Sequence, residues 1–254
     1  MINQVRDCAI AAKAAWRREL SAYFSTPLAY VFIAIFLLVL SVFTWELSQF
    51  FETGAADLGP FFYWHPWLYM LFMPALAMRL WSEEASAGTS ELLLSLPVSI
   101  PGIVIGKLLA AWTVAGLALI LTFPWWLTVN ILGPADNAAI ALSYFVSFIM
   151  SGAYLAVGAA VSSLTRSPAL AFVIGVMVAF LLTAAGWPMV TGGLANLFGT
   201  AAGDAIAQFS FSTHFETAQR GVLEFRGLFF FLGFIALCVV LNTFFVNHRR
   251  SGTQ

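Results

Sequence analysis

Charge is scarce in this chain: Asp, Glu, Lys and Arg make up 9% of its 254 residues, against roughly 25% in a soluble domain. Hydrophobic residues make up 61% and the mean hydropathy is +0.90. A water-soluble globule of this length could not cover so much apolar surface. A net charge of −1 leaves nucleic-acid binding without electrostatic support, so no nucleic-acid partner is expected. The three histidines, His65, His214 and His248, lack metal-ligand spacing, and no metal site is expected. Cys8 and Cys238 stand at opposite ends of the sequence, and no disulfide is expected. Catalytic motifs are missing too. There is no G-x-S-x-G, no His pair on one helix, and almost no ionisable group inside the apolar runs, which disfavours an intramembrane enzyme. Met1 to Phe24 lacks the continuous apolar core of a secretory leader.

What the chain does have is six apolar runs, with rough limits 27–50, 62–81, 102–129, 138–163, 169–190 and 227–247. Each is near the roughly 20 residues needed to cross a bilayer. The expected fold class is an all-α polytopic membrane protein with six transmembrane helices, in one domain covering 1–254. Pro27 opens the first run. Gly54–Pro60 and Gly133–Asn137 read as turns. Thr165-Arg166-Ser167-Pro168 is short enough to make the fourth and fifth runs antiparallel neighbours. With the N-terminus in the cytoplasm, Arg6, Lys13, Arg17, Arg18, Arg79, Lys107, Arg166, Arg249 and Arg250 all lie inside, and only Arg220 and Arg226 lie outside. Both termini and the 82–101 loop are therefore expected to be cytoplasmic.

Residues 1–26 read as an amphipathic helix at the membrane surface. Val5, Cys8, Ala9, Ala12, Trp16, Leu20, Tyr23 and Phe24 recur on one face; Arg6, Asp7, Lys13, Arg17, Arg18 and Glu19 hold the other. A helix docked on its own protein is the alternative. Residues 191–226 read as two short amphipathic helices on the far side. Glu46, near the outer end of the first run, is the one acidic interruption of a span. It is either a residue of a polar pathway or a group reaching outer headgroups and water. Trp125-Trp126 and Tyr63-Trp64-His65-Pro66-Trp67 fit aromatic belts. Asn130 and Asn242 suit interhelical hydrogen bonds, and Gly152, Gly158 and Gly175 suit close helix contact. Gly186-Trp187-Pro188 should kink or end the fifth run.

Gly102-Ile-Val-Ile-Gly106-Lys107-Leu108 has three residues between its glycines and no Ser or Thr after the lysine, so it is not a phosphate-binding loop. Lys107 is expected to extend to the inner headgroups. Just before it, Gly88 should end the continuation of the second run. Thr89 or Ser90 can cap a new helix with Glu91 in its first turn, Leu92, Leu93, Leu94 and Leu96 along its body, and Pro97 at its stop. Such a leucine cluster needs the membrane or a partner. Glu83 and Glu84, at its approach, could pair with bases of that partner.

The stretch RLWSEEASAGTSELLLSLPVSIPGIVIGKLLA resembles the loop by which ABC type-2 permeases meet their motor. It is similar in particular to the gliding-motility-type branch, whose pattern E-E-x-x-x-G-T-x-E-L-L-L-x-L-P followed by G-K is matched by Glu83, Glu84, Gly88, Thr89, Glu91, Leu92 to Leu94, Leu96, Pro97, Gly106 and Lys107. In STHFETAQRGVLEFRGLFFFLGFIAL, the residues His214, Phe215, Arg220 and Gly221 fit the same branch. The acidic residue that often precedes its final span is absent, since Gly227 follows Arg226. The resemblance implies a six-span permease subunit of an exporter in the bacterial inner membrane. It implies an interfacial N-terminal helix carrying Lys13, Trp16, Arg17 and Arg18, and re-entrant helices around His214, Phe215 and Arg220. The implied partners are a cytosolic ABC ATPase subunit, which would hold ATP and Mg, a second permease copy or related subunit, and the lipid bilayer. This chain would bind no cofactor itself. A non-transporting anchor that passes mechanical work to an envelope machine is the rival reading.

Overall fold

The computed structural model describes residues 2–50, 52, 56–89 and 98–251. Among them every regular element is helical. In chain order these are α1 (Ile2–Ser25), α2 (Leu28–Val42) running into a π-helical turn (Phe43–Leu47), α3 (Gly59–Tyr63), α4 (His65–Ala77), α5 (Arg79–Ser86), α6 (Ile100–Ile120), α7 (Phe123–Leu132), α8 (Asn137–Ser162), α9 (Pro168–Ala184), α10 (Pro188–Phe198), α11 (Thr200–Ala207), α12 (Phe211–Gln219) and α13 (Phe225–Ser251).

Among the described residues, four helical stretches are long and apolar enough to cross a membrane: Leu28–Leu47, Ile100–Leu132, Asn137–Ser162 and Phe225–His248. A fifth is the pair Pro168–Ala184 and Pro188–Phe198, bent by 71°. The expected run at 62–81 is divided among α3, α4 and α5, with breaks at Trp64 and Met78. Proline accounts for much of this. Pro60 and Pro66 sit in the first turns of α3 and α4, where a missing N–H costs little, and Pro74 lies inside α4. Aromatic and histidine residues in the same stretch dilute its hydropathy.

α8 is the hub, packing against α4, α6, α9, α12 and α13. Its sequence explains that position: Ser, Gly and Ala fill its second half, and small residues let neighbouring backbones approach. A Cβ on Gly158 would meet the Ala77 Cβ at 2.7 Å and the Pro74 Cα at 3.2 Å, and one on Gly152 would meet the Trp112 ring at 2.5 Å. Gly175 faces the Pro74 ring at 3.1 Å. All three glycines sit at close contacts, as expected from the sequence, and α8 and α9 pack as neighbours. Asp136 caps α8 by accepting from the backbone N–H groups of Ala138 and Ala139, and Ser167 caps α9.

The connection between α9 and α13 holds three short helices where two were expected. Gly199, at φ +90°, separates α10 from α11, a backbone geometry that favours glycine. Of the expected apolar faces here, Phe211, Phe215 and Ala218 on α12 are buried, whereas Leu197 and Phe198 on α10 are largely exposed. Asn130 bonds Asn137 reciprocally at 3.0 Å, joining the end of α7 to the start of α8 rather than linking distant spans. Asn242 is buried, and its Oδ1 has no hydrogen-bond partner among the described residues.

Candidate functional site

Among the described residues the most extensive helix pairing joins α1 to α6, and the two glycines of the failed phosphate loop make its close contact. A Cβ on Gly102 would lie 2.5 Å from the Cys8 carbonyl oxygen, and one on Gly106 would lie 2.3 Å from that of Ala12. Only glycine fits at such a distance. Gly102-x-x-x-Gly106 is thus a small-xxx-small seam that receives Cys8, Ala11, Ala12 and Ala15 of α1. Trp16 extends the seam by donating its indole N–H to Thr113 Oγ1 at 3.0 Å. Tyr23 closes the other end of α1, donating to the Leu76 carbonyl at 2.8 Å.

This docking lowers Glu19 onto Lys107. Lys107 is 1% exposed. Its Nζ lies 2.9 Å from Glu19 Oε1, 3.0 Å from Glu84 Oε1 and 2.6 Å from the Leu80 carbonyl oxygen, and 5.0 Å from the centre of the Trp81 ring. The ammonium donates to Glu19 and to the Leu80 carbonyl, and the Glu84 carboxylate stands beside it as an ion-pair partner. Arg18 binds the same two carboxylates from the solvent side, at 2.7 Å from Glu19 Oε1 and 2.6 Å from Glu84 Oε1. Two cations and two anions therefore cancel in one small volume. Burial by itself would raise the Glu19 carboxyl, but the Lys107 charge and the hydrogen bonds from Arg18 and Lys107 outweigh it and hold the pKa below its ordinary value.

The expectation that Lys107 extends to headgroups is therefore wrong. Once α1 lies in the glycine seam, water is excluded and the nearest counter-charges are Glu19 and Glu84. α5 supplies Glu84 because the helix restarts at Arg79. Ser162 of α8 secures that restart by accepting from the backbone N–H groups of Trp81 and Ser82 at 3.0 and 3.1 Å and donating to the Met78 carbonyl at 2.8 Å. Ser82 also donates to the Met78 carbonyl. Arg79 pairs with Glu83 one turn on, Nε to Oε2 at 2.8 Å. Gly88, at φ +71°, ends this helix in the left-handed conformation usual at a C-terminus. Thr89 donates to the Glu84 carbonyl at 3.3 Å.

The corner therefore joins three segments far apart in sequence. It holds α1, the approach to the 90–97 segment, and the start of α6 as one body. Glu84 Oε2 and Trp81 Nε1 are buried there with no hydrogen-bond partner among the described residues.

A family model described as ABC-2 family transporter protein matches residues 47–246, more than three quarters of the chain. The chain belongs to the ABC-2 transporter family. No curated protein matches it. ABC-2 chains are membrane permeases that normally work with a cytosolic ABC ATPase, and the permease subunit itself is typically non-catalytic.

In this ABC-2 chain the expected coupling residues divide. Glu83, Glu84, Gly88 and Thr89 stand at the charged corner, and both glutamates are already paired within the chain. Glu91, Leu92, Leu93, Leu94, Leu96 and Pro97, with the alternative cap Ser90, lie outside the described residues, as does Gly54 of the expected first turn. Of the N-terminal set, Lys13 and Arg17 are exposed, Trp16 points into the protein, and Arg18 belongs to the ion cluster. His214 and Phe215 are buried: His214 Nε2 donates to the Gln208 carbonyl at 2.8 Å, and its ring lies 4.2 Å from Phe230. Arg220 is exposed and does not join them. Glu46 is exposed on the π-helical turn. Sequence reading gave Glu19 only a place on the polar face of α1 and gave Trp81 no role. The available signal was the small-xxx-small spacing ahead of a lysine, which announces a docked helix and a covered charge.

Proposed function

We propose that this chain is the six-span permease subunit of an ABC exporter of the bacterial inner membrane, with both termini cytoplasmic, and that the charged corner receives the stroke of a separate ATPase subunit. The partner would hold ATP and Mg. A second permease copy or a related subunit would complete the transport path. The sixth span is the α3–α4–α5 stretch, which packs against α8 beside the other apolar helices and carries the coupling segment at its cytoplasmic end.

One observation carries the reading: Lys107 is buried and bonded at once to α1 through Glu19 and to α5 through Glu84. A push on the 82–101 loop would then move α1 and α6 together as a rigid unit. Glu83, half exposed, stays within reach of a partner's bases. The test is co-purification with the cognate ATPase. Glu83→Lys with Glu84→Lys should lose the ATPase subunit or its stimulated turnover. Normal assembly and turnover in that variant would remove the coupling role. Transport of a labelled cargo in vesicles separates an exporter from a mechanical anchor.

A further inference from the structure

Arg6, Lys13 and Arg17 lie on one stripe of α1, at steps of seven and four residues. All three are exposed, and no carboxylate lies within ion-pair distance of any of them among the described residues. Each other base at this corner is already neutralised: Arg18 by Glu19 and Glu84, Arg79 by Glu83, Lys107 by Glu19 and Glu84. The stripe is on the side of α1 turned away from the glycine seam. Next to it runs an exposed apolar flank of Val5 and Ala9, with Val5 66% exposed. Asp7, the acid nearest in sequence, is rotated about 100° from Arg6 around the helix. α1 passes through Pro27 directly into α2, one of the apolar stretches long enough to cross a membrane.

We infer that this stripe binds the headgroups of anionic phospholipids, with Val5 and Ala9 seated in the acyl boundary beside it. This deepens the permease reading, since it rests on α1 lying at the cytoplasmic membrane surface. It also changes the residue set expected from the sequence. Arg6 enters, while Trp16 and Arg18 leave, because the fold has spent both elsewhere. The occupant follows from charge. Three uncompensated cations beside an apolar strip match a surface that presents phosphates above hydrocarbon, whereas an acidic protein partner would leave the strip wet.

The test uses the full chain, without any ATPase, purified in micelles doped with equimolar phosphatidylglycerol and phosphatidylcholine, the retained lipids being counted by mass spectrometry. Wild type should retain phosphatidylglycerol in clear excess. Arg6→Gln, Lys13→Gln and Arg17→Gln together should bring the ratio down at least about tenfold, each base near an anionic surface being worth roughly fivefold. The wild-type excess should also disappear at about 1 M salt, a measurement that stands even if the triple variant misfolds. No excess in wild type, an excess indifferent to salt, or a folded triple variant that keeps the excess would overturn the inference. A triple variant that keeps the lipid excess here but loses the ATPase in a separate co-purification would overturn it in favour of a protein interface. The lipid result is independent of the Glu83 and Glu84 variants, so either proposal can fail alone.

Discussion

The two ends of α9 are held by different chemistry. Near its start, where α9 packs on α5, the neighbouring corner is tied by ion pairs among Arg18, Glu19, Glu84 and Lys107. At its far end there is no ion pair among the described residues. There the Thr183 carbonyl accepts from Ser210 Oγ at 3.1 Å and Ser212 Oγ at 3.0 Å, and Tyr154 shares a hydrogen bond with the Thr183 hydroxyl at 2.6 Å. Phe211 sits below them against Tyr154, Phe231 and Phe234, ring centres 4.8 to 5.4 Å away. One end carries fixed charges that bind separate segments into a body. The other carries neutral hydroxyls that satisfy backbone groups beside the break at Gly186–Pro188, with rings filling the space. Charge is costly to strand in a dry site; hydroxyl and ring contacts hold a shape at less risk. The contrast suits an end that passes on force and an end that keeps a bent segment in place.

The largest expected effect comes from breaking the charged end. Lys107→Met strands Glu19 and Glu84 against each other with only Arg18 to share, and losing one partner of a buried pair costs about 3–5 kcal/mol. Thermal unfolding in micelles should fall, and ATPase stimulation in the assembled complex should be lost with it. Phe211→Ala at the other end should cost a similar amount, about 3–5 kcal/mol, through the cavity it leaves. In that variant, measured below its unfolding temperature, ATPase stimulation should persist. If both variants lose stimulation while folded, the two ends do not divide force from shape.

A smaller effect tests the seam. Gly106→Val drives a side chain into the Ala12 carbonyl, and overpacking of this kind costs about 1–3 kcal/mol. α1 should lift, and maleimide labelling of Cys8 should quicken. Unchanged labelling would mean that the seam does not hold α1.

The smallest effect is the pH response. Glu19 has a folded pKa below its unfolded one, so its contribution is complete above the ordinary glutamate range and is lost as pH falls through the lowered folded value. After correction for the intrinsic exchange rate, which itself falls on acidification, protection of α1 should drop at acid pH while that of α12 stays nearly constant. Equal loss of protection in both helices would count against a Glu19 origin.

Much of this was readable from the residues. The apolar runs, the close-packed Gly152, Gly158 and Gly175, the stop at Gly88 and the break at Gly186–Pro188 all follow from local chemistry: side chains that cannot be hydrated, backbones that need room, and a proline without an N–H. What was not readable concerns partners distant in sequence. The 62–81 run reads as one span because its composition is apolar, yet its helix restarts at Arg79, where Ser162 from α8 takes up the loose backbone groups. Residues 191–226 show two apolar faces, but only the α12 face found a partner.

By itself, then, the sequence determined that this chain is an assembly of apolar helices with a polar loop between two of them, because the cost of hydrating so many hydrophobic side chains admits no other class. Only the tertiary structure decided what its few charges do. A lysine at the end of a span has water, headgroups and carboxylates as near-equal choices, and local sequence cannot rank them. The glycine seam ranks them for Lys107: with α1 against α6, water is gone, and Glu19 and Glu84 are the groups left to meet it.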